Sequence, residues 1–98
     1  MDDLILLFNR NLKFYREKKG WTQRVLSDVS HVDENYISRI EREKSVPSVE
    51  VMVDLALALG LTMAQMWETP KERRLRSDKR KDAVPQLILE LKLYGGGM

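Results

Sequence analysis

Helix punctuation constrains this chain more than anything else in it. Thr22, Asp33, Ser48 and Thr62 each stand where a short apolar periodicity begins, and Gly20, Pro47 and Gly60 stand where one ends. Thr, Asp and Ser side chains accept hydrogen bonds from the orphan N–H groups of a first helical turn, whereas Gly and Pro close the last one. A chain interrupted this often builds only short helices. Between the stops, apolar residues recur at intervals of three and four, and no strand-type alternation or hairpin signal occurs through residue 69.

Five segments follow. The first, 3–19, puts Leu4, Ile5, Phe8, Leu12 and Tyr15 on one stripe, with Arg10, Lys13, Lys18 and Lys19 elsewhere on the surface. The second, about 22–29, is expected to bury Val25, Leu26 and Val29. In the third, 33–42, Val32 is spaced to pack on Ile37 as a hydrophobic staple, and the helix ends by Lys44. Ile37 and Ile40 face inward there, while Glu34, Asn35, Ser38, Arg39 and Arg42 face outward. Ser48 caps a fourth helix with Val49, Met52, Val53, Ala56 and Leu59 on one face. Thr62 and Gln65 fit a capping box for a short fifth helix ending near Trp67. The expected fold is all-α, a compact five-helix bundle with a short C-terminal extension.

The extension divides in two. Thr69-Pro70 breaks the pattern, so residues 1–69 read as the domain and 70–83 as a charged linker. Residues 84–98 form an apolar segment, expected to serve as a dimerisation element. Within it, Val84, Leu87, Ile88, Leu91 and Tyr94 make one helical face, yet Leu87, Leu89, Leu91 and Leu93 also alternate as a strand would. Both readings stay open.

Charge is distributed unevenly. The chain totals +2, but residues 1–69 hold nine basic and eleven acidic side chains, net −2, and 70–83 hold seven against three, net +4. A nucleic-acid-binding domain with this balance needs a locally basic face. With no cysteine, a thiol nucleophile, a disulfide framework and Cys-based metal sites are excluded, and one histidine, His31, excludes His clusters. No Ser/His/Asp arrangement, paired-carboxylate site or Gly-rich phosphate loop stands out, so neither catalysis nor a cofactor is expected. The longest strictly apolar runs, such as Leu4 to Phe8, are five residues, too short for a bilayer, and Met1-Asp2-Asp3 is acidic where a signal peptide is basic. An intracellular, cytoplasmic protein without a membrane association is expected.

The segments 22–29 and 33–42, joined by a tight turn, make a helix-turn-helix unit. Its second helix carries long polar groups on its outward face. Asn pairs bidentately with adenine and Arg with guanine, so Asn35 and Arg39 suit major-groove readout. Thr22 and Gln23 open the preceding helix, whose exposed N–H groups and positive dipole end suit phosphate.

Over residues 8–67 the chain resembles the phage repressor and Cro-like (XRE-type) helix-turn-helix family, the lambda-repressor-like DNA-binding domains. The resemblance is carried by Leu12 to Arg16 running into Gly20-Trp21-Thr22-Gln23, then Tyr36-Ile37-Ser38-Arg39-Ile40-Glu41-Arg42, Lys44, Pro47-Ser48 and Leu55-Ala56-Leu57-Ala58-Leu59-Gly60. It implies a sequence-specific transcriptional regulator, generally a homodimer on a palindromic double-stranded DNA operator. By position it implies base contacts from Gln23, Glu34, Asn35, Ser38 and Arg39. Thr22, Gln23, Arg42 and Lys44 are implied to touch phosphate, and Arg16 to pair with Glu41 while also reaching phosphate.

Three positions depart from the family's pattern. His31 stands where the turn usually has Gly, Ser27 where Ala is frequent, and Glu43 where Gly usually follows the Glu-Arg pair. His31 is expected to be a turn residue at positive φ, and Glu43 to bring a carboxylate near the phosphate path. Trp21 and Trp67, at helix boundaries, are expected to be core lids. The competing function is a protein-interaction module that reuses the fold without DNA, which the net −2 domain would permit; salt dependence discriminates the two.

Overall fold

Each expected cap is in place, and the helices follow from the caps. In the computed structural model, which describes residues 3–77, α1 runs Asp3–Lys18, α2 Gln23–Ser30, α3 Glu34–Glu41, α4 Val49–Leu59 and α5 Met63–Met66, with no strand among the described residues. The Thr22 and Ser48 hydroxyls accept from the N–H of Val25 and Val51, and the Asp33 carboxylate accepts from both Asn35 and Tyr36. Thr62 and Gln65 form the full capping box.

Three helix ends share one construction. After α1, Trp21 N–H returns to the Arg16 carbonyl and Gly20 N–H to Glu17. After α4, Leu61 returns to Ala56 and Gly60 to Leu57. After α3, Lys44 returns to Arg39 and Glu43 to Ile40. This is the Schellman closure, and it requires a left-handed residue. Gly20 and Gly60 have φ of 71°, and Glu43 adopts 62° despite its Cβ. That closure ends α3 at Glu41, slightly earlier than its apolar pattern predicts.

Every helix contributes to the core. Phe8 and Leu12 of α1, Leu26 of α2, Ile37 and Ile40 of α3, Leu55 of α4 and Met66 of α5 are almost fully excluded from solvent. Val32 is buried with Ile37, as the staple spacing predicts, and Trp21 and Trp67 pack on the cluster half-buried. Phe8 and Trp67 meet with ring centroids 5.7 Å apart. α2 packs on α3 and α4, while α1 lies against α3, α4 and α5.

Several apolar positions face outward instead. Val25 and Val29 are 38% and 47% exposed, because the short α2 turns only Leu26 and Ser30 inward. On α4 the buried stripe is Met52, Leu55, Ala56 and Leu59, so Val49 and Val53 lie outside it. Leu4 is exposed as well. Conversely, two asparagines of α1 are buried. Asn11 Nδ2 donates to the carbonyls of Met66 (2.7 Å) and Glu68 (2.9 Å), closing the C-terminal end of α5. Asn9 Nδ2 donates to the Ser45 carbonyl at 3.3 Å, tethering the segment after α3.

A second unit begins at Thr69. Residues 70–77 are helical, where a charged linker is expected. Thr69 Oγ1 accepts from Glu72 N–H at 3.1 Å and donates to Glu72 Oε1 at 3.0 Å, and Pro70 occupies the first helical position. The apolar segment 84–98 and the choice of helix or strand within it lie outside the described residues.

Candidate nucleic-acid interface

The turn between α2 and α3 is fixed by its own side chains. His31 takes the left-handed conformation, φ 62° and ψ 20°, and its N–H returns to the Ser27 carbonyl at 2.8 Å. The Ser27 hydroxyl donates to the Val32 carbonyl at 2.6 Å, and Val32 N–H donates to Ser30 Oγ at 3.2 Å. Ser27 thus gives the turn a bond that alanine lacks. With Asp33 capping α3 immediately afterwards, the angle between the two helices is set by four consecutive backbone constraints.

On α3, successive residues turn by about 100°. Glu34, Asn35, Ser38, Arg39 and Arg42 therefore share one arc, opposite the buried Ile37 and Ile40. Glu34, Asn35, Arg39 and Arg42 are exposed and Ser38 is half-buried. Lys44 follows, also exposed. Arg42 Nε donates to the Ser38 carbonyl at 3.3 Å, which stations its guanidinium at the helix end.

Behind that face, α1 supplies counter-charges. Arg16 engages Glu41 with two parallel bonds, Nε to Oε2 at 2.7 Å and Nη2 to Oε1 at 2.8 Å. Its Nη1 donates to the Trp21 carbonyl at 2.6 Å. The pair is nearly enclosed, with side chains 11% and 3% exposed. The Arg16 pKa is raised, first by the hydrogen bond to Glu41 and, against the opposing cost of burial, by the charges of Glu41 and Glu17. Arg16 is turned inward in this arrangement and makes the expected pair with Glu41, which gives it a structural role. Gln23 joins the same node, its Nε2 donating to Glu41 Oε1 at 3.1 Å.

Glu43 is held by Arg10, Nε to Oε1 at 2.9 Å. The carboxylate expected near the phosphate path is thereby paired. Among the described residues, Arg39, Arg42 and Lys44 enter no ion pair. The two acids next to them in sequence are neutralised from α1, and the C-terminal half of α3 is left locally basic on a domain whose net charge is negative.

Sequence reasoning missed Tyr36. Its ring is half-buried against the core, and the Arg39 guanidinium carbon lies 5.4 Å from the ring centroid. The i to i+3 spacing was the available signal. Among the described residues no group of His, Cys, Asp and Glu is arranged to hold a metal ion, and no helix is long and apolar enough to cross a membrane.

Two short helices locked by a left-handed turn, the second with a polar outward face, define a helix-turn-helix regulator. The chain belongs to the XRE-type helix-turn-helix family, whose pattern matches residues 12–66. It is 31% identical over 71 residues to the Neisseria hypothetical transcription factor of Neisseria meningitidis, across 72% of this chain and 67% of that one. Identity to the competence pilus inhibition repressor of Acinetobacter baylyi is 33% over 58 residues, 59% of this chain and 53% of that one. The chain thus spans between about half and two thirds of these relatives. Among solved structures, the hypothetical transcription factor NHTF from Neisseria superposes with a TM-score of 0.67 at 30% identity, covering 71% of this chain and 80% of its own. The clp gene regulator ClgR from Corynebacterium glutamicum gives a TM-score of 0.61 at 27% identity, covering 92% of each chain. The protein is a helix-turn-helix transcriptional regulator, DNA-binding by family and not an enzyme.

Proposed function

We propose that this regulator acts in the cytoplasm by occupying a specific double-stranded DNA operator as a homodimer, with α3 in the major groove. The observation that carries the reading is the outward arc of α3, where Asn35 and Arg39 are exposed and Arg39, Arg42 and Lys44 carry no counter-ion among the described residues. Arg39 reads guanine through O6 and N7, Asn35 reads adenine, Glu34 accepts from a cytosine amino group and Ser38 bonds to a neighbouring base edge. Arg42 and Lys44 bind phosphate beyond the C-terminal end of α3. At the other end, Thr22 and the unbonded N–H groups of the first turn of α2 meet a second phosphate. Gln23, anchored on Glu41 through one N–H, directs the remainder of its amide to that phosphate or to an adjacent base. Phosphate contacts set register, and base contacts set preference.

The test is selection of bound sequences from a random duplex pool with the full chain, followed by a salt titration on the winner. A palindrome with half-sites about one helical turn apart, ~34–36 Å, and affinity that falls steeply with salt are expected. No enriched sequence, or affinity indifferent to salt, would overturn the reading.

A further inference from the structure

Arg16 and Arg39 are bound in opposite ways, and the difference carries the inference. Arg16 spends the edge of its guanidinium on Glu41 and the Trp21 carbonyl. Arg39 meets a ring instead: its Cζ lies 5.4 Å from the Tyr36 centroid, and among the described residues its N–H donors meet no carboxylate. A guanidinium held against a ring rather than on a carboxylate keeps its N–H donors available, and a fork of such donors is what pairs with guanine O6 and N7. The platform is itself fixed, since Tyr36 sits in the first turn of α3 under the Asp33 cap and packs against the core.

We propose that Tyr36 is a positioning residue for base recognition, restricting Arg39 to the conformers that present its N–H edge to guanine. The proposal rests on the reading of α3 as the base-reading helix. A free arginine must lose much of its rotamer freedom when it docks bidentately; a stacked one has lost part of it beforehand. The aromatic ring therefore contributes to discrimination between bases without touching DNA. An exposed stack of this kind corresponds to about 2- to 5-fold in the ratio of affinities for guanine and its replacement.

The experiment uses the full chain and the duplex recovered by random-pool selection, with each position replaced in turn by the other bases. Arg39→Ala first identifies the position it reads. Tyr36→Leu keeps apolar bulk but removes the ring, and Tyr36→Phe keeps the ring. The expected result is a loss of about 2- to 5-fold in discrimination for Tyr36→Leu at the Arg39 position alone, with Tyr36→Phe close to the parent. In an Arg39→Ala background, Tyr36→Leu should change discrimination no further. A ring-current shift of the Arg39 side-chain protons, present in the parent and in Tyr36→Phe and absent in Tyr36→Leu, would report the stack without any DNA.

An even loss of affinity for every duplex, or the same loss in both backgrounds, would make Tyr36 merely structural and overturn the proposal while leaving α3 as the reader. Should Arg39→Ala leave base preference unchanged everywhere, the reading of Arg39 falls and the proposal falls with it. If Tyr36→Leu does not fold, Tyr36→Met gives the same comparison, and Tyr36→Phe with an absent ring-current shift would by itself refute the stack.

Discussion

Arg16 and Glu41 meet side by side, two bonds of 2.7 and 2.8 Å joining residues 25 apart in sequence. Removal of either one alone leaves a charge almost without solvent. Arg16→Met or Glu41→Leu should each cost about 3–5 kcal/mol, while the double variant costs clearly less than their sum because no charge is then stranded. Urea unfolding of the four proteins measures the cycle, and additive losses would refute the coupling.

The same pair fixes a pH dependence. Because the Arg16 pKa is raised on folding, its contribution is complete below the ordinary arginine range and is lost only as pH climbs through the raised value. The stability gap between the parent and Arg16→Met should therefore be flat from about pH 7 to about pH 10. A gap that closes over this interval would show that a different group titrates with the pair.

Asn11 ties α1 to the end of α5 through two carbonyls. Asn11→Leu leaves both of them without this donor and should cost about 2–4 kcal/mol, more than a surface asparagine would. Thermal unfolding would show it, and a Tm within a degree or two of the parent would contradict the geometry.

Glu43 stores backbone strain at φ 62° and offsets part of it through Arg10. The two effects separate in an Arg10→Ala background, where the ion pair is already gone. There Glu43→Gly should stabilise by about 1 kcal/mol, or ~4–8 °C in Tm for a domain of this size. In the parent background the gain should be smaller. No gain in either background would show that the left-handed residue carries no strain.

Most of this architecture was legible because helix ends are local events. Thr22, Asp33, Ser48, Thr62 and both glycines act within four residues of themselves, so spacing alone locates them. The same capping pattern occurs at Thr69 and Glu72, where Pro70 reads equally as a breaker and as a first helical residue. Burial was less legible on the short helices. Val25 and Val29 carry the apolar signal of a core position, yet which face of α2 turns inward depends on where α3 and α4 lie. The buried asparagines were invisible for the opposite reason: Asn9 and Asn11 answer carbonyls 36 and 55 residues away. At the candidate interface the outward residues followed from periodicity. The neutralisation of Glu43 by Arg10, and the stacking under Arg39, needed three dimensions.

The anchoring of the α2–α3 pair by α1 has a bearing on how the protein appears and disappears in the cell. Glu41 is complete only when Arg16 arrives from 25 residues upstream, so a nascent chain ending after α3 already contains every charge the node requires. A proteolytic cut between Arg16 and α2, by contrast, severs Glu41 from its counter-ion although the whole outward face of α3 survives. Loss of α1 through Arg16 would thus strip α3 of its anchor without removing any of its outward side chains, and a fragment of the helix pair alone would lack the node that holds Glu41.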